Sequence, residues 1–166
     1  MNNYGACMKS LTLLMTTLFL FSSPIVLSEE IGFLDLVERE GIWYKKFSEE
    51  PFTGNVVGEW RGGVAKGKRE GKWTRWWEND QLRMRTNYKN GKEEGLEEWY
   101  DENGQLKYRY YFKNGELDGL REGYYENGQL RARGHYKNGE SVGKWEWFNE
   151  DGKPTMLRDC DVEDCS

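Results

Sequence analysis

The chain has 166 residues, which makes a single domain the expectation. Hydrophobic residues are 37%, aromatics 15%, and there are 20 glycines: too aromatic for disorder, and too poor in Leu, Ile and Val for a thick core. With 24 basic against 29 acidic residues the balance argues against nucleic acid, and three cysteines with one histidine leave little for a metal site or a histidine-based catalytic set.

Residues 1–28 read as an export signal, with Lys9 as the positive charge, 11–21 as the apolar stretch and Val26-Leu27-Ser28 as the cleavage pattern before Glu29. The mature chain is therefore expected outside the cytoplasm, periplasmic or extracellular. The alternative is a membrane anchor, but the run 11–27 is short for spanning and carries Thr12, Thr16, Thr17, Ser22, Ser23 and Pro24. Residues 29–66 read as an irregular hairpin module that begins a stack. Glu40-Gly41 is one turn signal and Arg61-Gly62-Gly63 a second, with Pro51 interrupting between them.

Residues 67–152 carry one 24-residue unit almost four times. Gly67, Gly91, Gly115 and Gly139 open the frames, and Gly71, Gly95, Gly119 and Gly143 follow four residues later. Asn79-Asp80, Asn103-Gly104, Asn127-Gly128 and Asp151-Gly152 come eight residues after those. Asn-Gly between aromatic-rich runs predicts a two-residue hairpin turn, so 72–78 pairs with 81–89, 96–102 with 105–113, and 120–126 with 129–137. A second Asn-Gly in each unit is expected to start the loop to the next hairpin. A lone hairpin is marginal, so the units must pack on one another. The expected fold is all-β: a stack of antiparallel hairpins in one elongated, curved, single-layer sheet.

This register puts Trp73, Trp77, Leu82, Met84, Tyr88, Trp99, Leu106, Tyr108, Tyr110, Phe112, Tyr125, Leu130, Tyr136, Trp145 and Trp147 on one face. On the other it sets Trp76, Tyr100 and Tyr124 opposite Arg83, Lys107 and Arg131 as cation–π pairs. Glu98 and Glu122 fall opposite Arg109 and Arg133 as ion pairs. The cations Arg83, Arg85, Lys89, Lys107, Arg109, Lys113, Arg131, Arg133 and Lys137 form a basic stripe. Gly123, Ala132 and Gly134 leave a gap in the apolar face, expected to be filled by Tyr108, Tyr110 or Trp147. Residues 153–166 leave the pattern: Pro154 is expected to end the last strand, and an acidic tail follows, bracketed by Cys160 and Cys165. In an exported chain these two are the disulfide candidate.

The unit Gly-x-x-x-Gly, aromatic strand, Glu-Asn-Gly-Gln-Leu, basic strand, aromatic-Lys-Asn-Gly resembles the MORN-repeat variant of bacterial proteins. With Tyr44-Lys45-Lys46-Phe47 and Pro51-Phe52-Thr53-Gly54 ahead of it, the pattern over about residues 36–152 is similar to the YwqK-family antitoxins. The resemblance implies stacked hairpins and, by the family's name, a protein that neutralises a toxin; it implies no catalytic residue. No nucleophile elbow, phosphate loop or zinc spacing is present, so no enzyme and no cofactor are expected. Two functions remain. One is a non-catalytic, antitoxin-like scaffold in the bacterial envelope that binds a protein through Trp99, Tyr108, Tyr110, Tyr125 and Trp147. The other is a structural module, or one that binds anionic lipid or polysaccharide through Arg83, Arg85, Lys107, Arg109, Arg131 and Arg133.

Overall fold

Two chemically different turns build each repeat. At Asn90-Gly91, Asn114-Gly115 and Asn138-Gly139 both residues have positive φ (52° and 84°, 53° and 87°, 49° and 84°), the signature of a two-residue type I′ turn. These second Asn-Gly pairs are thus tight hairpin turns themselves, not the start of a longer return loop. At the opposite end of the strands only the glycine is left-handed: Gly104 has φ 79° and Gly128 φ 81°. There the Gly104 N–H donates to Asp101 O at 3.0 Å and the Asp101 N–H to Gln105 O at 2.9 Å. That is a three-residue loop, one residue longer than the expected turn, and it inserts a β-bulge beside itself.

The computed structural model describes residues 28–162. The expected export signal, apart from Ser28, and Cys165 lie outside the described residues. In chain order the elements are β1 (Glu30–Gly32), a 3-10 turn (Phe33–Asp35), β2 (Leu36–Arg39), β3 (Ile42–Lys45), β4 (Gly54–Val57), β5 (Trp60–Ala65) and β6 (Lys68–Trp76). There follow β7 (Leu82–Lys89), β8 (Lys92–Glu93), β9 (Gly95–Tyr100), β10 (Leu106–Lys113) and β11 (Glu116–Leu117). The last are β12 (Gly119–Tyr124), β13 (Leu130–Lys137), β14 (Glu140–Phe148) and β15 (Pro154–Asp159). From β4 to β15 the chain is one antiparallel meander, with β8 and β11 as short lead-ins to β9 and β12. The fold is all-β.

The pairing agrees with the expected register away from the loops and departs from it beside them. Glu98↔Arg109 and Glu122↔Arg133 are cross-strand partners. Leu106 pairs with Tyr100 while Tyr108 pairs with Trp99, so Lys107 is the bulged residue. Arg83 and Arg131 are bulged in the same way. The three expected pairs Trp76–Arg83, Tyr100–Lys107 and Tyr124–Arg131 are therefore absent from the register, because the longer loop takes each cation out of the ladder.

Three more expectations change. Arg61-Gly62-Gly63 is not a turn; the chain reverses at Gly58 (φ 107°), and Gly62 lies inside β5. A Cβ on Gly62 would stand 2.3 Å from Trp73, so the missing side chain is what lets the indole lie on the strand. Pro154 does not end the last strand; it begins β15, a first-residue position that tolerates its lack of an N–H. β15 pairs with β14, so residues 154–159 complete a fourth hairpin. The sheet is also not single-layered throughout. The β2–β3 hairpin stands apart from the main sheet and covers one face of its first strands. Leu36 and Trp43 from that hairpin join Phe52, Val56, Val64, Trp73 and Tyr88 in one buried cluster. Burying each such side chain is worth about 1.5–3 kcal/mol, so this end carries most of the core energy.

Successive repeats are tied by identical contacts. Gly91, Gly115 and Gly139 donate to the carbonyls of Arg69, Glu93 and Leu117, each at 2.9 Å. At the three-residue loops, the Asn79 and Asn127 side-chain amides donate to Glu102 O and Glu150 O, both at 2.8 Å. These five turns each satisfy a backbone group of a neighbouring repeat, which rigidifies the stack.

Candidate functional site

The two faces of the sheet are chemically opposite. On the charged face, Arg85, Glu98, Arg109, Glu122, Arg133 and Glu146 alternate in one line across the strands. Glu98 is 1% exposed and is held from both sides by the Nε atoms of Arg85 and Arg109, the latter at 3.0 Å. Arg109 reaches on to Glu122 at 3.7 Å, and Arg133 pairs with Glu146. Burial by itself would raise the Glu98 carboxyl, but the bonds from its two arginines outweigh that and hold it below the usual range. The same bonds raise Arg85 and Arg109.

The expected basic stripe is thus divided. Arg85, Arg109 and Arg133 are neutralised within the line of glutamates. Arg83, Lys107 and Arg131, being bulged, turn elsewhere: Arg83 lies 4.0 Å over Trp77, Lys107 pairs with Asp101 at 3.3 Å, and Arg131 lies 5.8 Å over Tyr108. Lys137 is taken by Asp118 at 2.8 Å.

On the aromatic face, Met84↔Trp99, Tyr108↔Gly123 and Ala132↔Trp147 are steps of one row across the sheet. The structure therefore brings Trp99, Tyr108 and Trp147 into line. Tyr110 sits in the adjacent row, stacked on Tyr108 at 5.9 Å between centroids. All four are half-buried, and none belongs to the buried cluster that Leu36 and Trp43 of the β2–β3 hairpin join. Tyr125 separates from them. It follows the end of β12, and its hydroxyl donates to Phe148 O at 2.8 Å, a repeat-to-repeat tie. Gly134 is not filled by Tyr108, Tyr110 or Trp147: Trp145 lies on it, 2.1 Å from where a Cβ would be.

Two residues here escaped the sequence reading. The row containing Tyr110 passes through Trp73↔Thr86, Glu97↔Tyr110 and Arg121↔Gly134. Trp73, Glu97, Arg121 and Trp145 hold the same position in consecutive frames, so an acid and a cation replace tryptophan in the two middle repeats. Glu97 is 8% exposed and accepts a hydrogen bond from Trp99 Nε1 at 2.7 Å; burial pushes its carboxyl up. Arg121 lies 5.6 Å over Tyr110 and 5.7 Å over Trp145, with no carboxylate within ion-pair distance among the described residues. An open concavity of about 840 Å³ at the loop end is lined by Trp76, Trp77, Asp80, Arg83 and Glu102, among others, with mixed charge. Among the described residues no three His, Cys, Asp or Glu side chains converge as a metal site. Cys160 is disulfide-bonded.

These features define a β-hairpin repeat protein with one face closed by its own ion pairs and the other aromatic. The family model described as MORN repeat variant matches residues 69–90, 93–114 and 117–138, so the chain contains three consecutive repeats of that kind. No curated protein matches the chain. Among solved structures, it is similar to the crystal structure of the GtfA/B complex bound to UDP and GlcNAc, at 12% identity and a TM-score of 0.26. That match covers 76% of this chain and 29% of the other.

Proposed function

We propose that the protein is a non-catalytic repeat scaffold that binds another protein through the open part of its aromatic face. The observation that carries this reading is the row of Trp99, Tyr108 and Trp147, with Tyr110 beside it, half-buried and outside the cluster that the β2–β3 hairpin joins. Interface centres are enriched in aromatic residues and depleted in charge, and a few aromatic anchors supply most of the binding energy. The opposite face offers little to an anionic surface, because its arginines are paired with glutamates. The repeats supply a platform whose length grows one unit at a time. The reading places the protein in a bacterial envelope after removal of residues 1–28, with antitoxin-like neutralisation of the partner as its most specific form. The disulfide at Cys160 supports an oxidising compartment.

A photo-crosslinking side chain at Tyr108 tests the face, with the same group at Tyr111, 38% exposed on the charged side, as control. Covalent capture of one protein from Tyr108 and not from Tyr111 is the expected result; capture from Tyr111 alone overturns the reading. Flotation with anionic vesicles that is abolished by salt, and unaffected by Trp99→Ala, would favour the anionic-surface alternative. N-terminal sequencing of the exported protein should begin at Glu29.

A further inference from the structure

The arginines of the two faces differ in what they meet. On the charged face Arg85, Arg109 and Arg133 are each paired with a glutamate. Arg121, Arg131 and Arg158 have no carboxylate within ion-pair distance among the described residues, and all three serve the aromatic face. Arg121 pairs with Gly134 across the β12–β13 ladder and lies over the rings of Tyr110 and Trp145, at 5.6 and 5.7 Å. Arg158 pairs with Trp145, so the two share a side of the sheet. Arg131, bulged out of the ladder, lies 5.8 Å over Tyr108. The ladder positions of this side in β10, β12, β13, β14 and β15 hold no Asp or Glu. The acid in the same row is Glu97, but it pairs with Tyr110 on the far side from Arg121, and its carboxylate already accepts from Trp99.

A guanidinium is costly to take out of water without a counter-charge. Arg121 is already half-buried, and a protein that covers Tyr108 and Trp147 removes more of its water. Such a partner must match the charge or lose affinity. We propose, on the protein-binding reading above, that the segment covering this end of the face presents an Asp or Glu carboxylate flanked by apolar side chains, and that Arg121 receives the carboxylate. The planar fork of Arg121 suits a carboxylate, which it can hold through two parallel N–H donors. The apolar flanks meet Tyr108, Tyr110 and Trp147, while Arg131 and Arg158 add to the positive field. Charge complementarity thus sets the partner's chemistry, and the position of Arg121 sets its form. A cation half-buried among rings is reached by a protruding side chain more readily than by a plane of lipid headgroups.

Titration of the 15N-labelled protein with two capped peptides tests this: acetyl-Phe-Leu-Glu-Leu-Phe-amide and its counterpart with Gln at the centre. The Glu peptide should bind about fivefold more tightly, the upper range for a partly exposed ion pair. Its shifts should centre on the Arg121 Nε–H and Trp145 indole N–H signals. Arg121→Gln should abolish the preference and leave the weaker binding, with thermal unfolding as the folding control. Should that variant unfold, Arg131→Gln with Arg158→Gln takes its place and should at least halve the preference. Equal affinity for both peptides on the aromatic face overturns the proposal and leaves the protein-binding reading standing. A preference that survives these substitutions overturns it too, as do shifts confined to the charged face. Binding of neither peptide also overturns it, and crosslinking from Tyr108 then decides the broader reading by itself. Flotation with phosphatidylglycerol–phosphatidylcholine vesicles that Arg121→Gln abolishes, with no preference between the peptides, would assign Arg121 to a headgroup phosphate instead.

Discussion

Glu97 and Glu98 are chain neighbours that point to opposite faces, and their titrations take opposite signs. The Glu97 carboxyl is raised by burial, so ionising it opposes folding. Its contribution is intact below the unfolded carboxylate value of about 4.3 and is lost as pH rises through the higher folded value. Glu98 is lowered, so its contribution is present above the unfolded value and is lost as pH falls through the folded one. Glu97→Gln should therefore raise the urea midpoint at neutral pH, with the gain vanishing in acid, while the amide oxygen can still accept from Trp99. Glu98→Gln should lower the midpoint at neutral pH. Urea titrations at two pH values distinguish them. The glycines of the face divide as sharply. A Cβ at Gly134 would meet Trp145 at 2.1 Å, so Gly134→Ala should cost about 1–3 kcal/mol. At Gly123 the nearest atoms, on Tyr108 and Arg131, are 3.6 Å away and φ is not positive, so Gly123→Ala should be neutral or gain about 0.4–1 kcal/mol. Hydrophobic alternation placed Trp99, Tyr108 and Trp147 on one face. Glu97 and Arg121 break that alternation, and they show only when frames are aligned so that positions 73, 97, 121 and 145 read Trp, Glu, Arg, Trp.

The hairpin as an element was legible because glycine and asparagine report backbone conformation directly. The type of each turn was not, since Asn-Gly serves both loops. At Asn114-Gly115 both residues are left-handed; at Asn103-Gly104 only the glycine is, and the extra loop residue displaces Lys107. Side chains inside the longer loop brace it in two ways: the Asp101 carboxylate accepts from the Asn103 and Gln105 N–H groups, both at 2.9 Å, whereas in two other loops the Asn79 and Asn127 side-chain oxygens accept from the Gln81 and Gln129 N–H groups at 3.0 and 2.9 Å. The first repeat carries the same loop with Asp80 at the left-handed position, φ 61°. A side chain there is strained relative to glycine, so Asp80→Gly should stabilise the protein by about 0.5–1 kcal/mol. Gly104→Ala should destabilise it by about 1 kcal/mol. Paired chemical denaturation curves check both; a loss for Asp80→Gly would mean that its carboxylate makes a contact worth more than the strain. Pro154 misled for a related reason: proline excludes a central strand, but it is compatible with the first residue of an edge strand.

At the scale of the molecule, stability is unevenly distributed, and this was the least legible property. Nothing local marks the β2–β3 hairpin as a cover; Trp43 meets Trp73 only because the chain folds back through Phe52 and Gly67. Around that meeting lie Val56, Val64, Tyr88 and the Arg69 guanidinium, which is within 5.6 Å of four ring centroids. Burial pushes the Tyr88 phenol up to about 12. Toward β15 the sheet has no second layer among the described residues, and its strands hold mainly through ladder bonds and half-buried rings. In a repeat stack, where each unit contacts its neighbours, such asymmetry lets the thin end open without the thick one. Native-state hydrogen exchange should therefore show the slowest amides in β6 and β7, with protection falling along β10 and β13 to a minimum in β15. Trp43→Ala removes a ring from the cluster, at about 3–5 kcal/mol, and should lower protection in β6 and β7 while leaving β13 and β14 nearly unchanged. Uniform protection along the wild-type sheet, or an equal loss at both ends in the variant, would show instead that the repeats open as one unit.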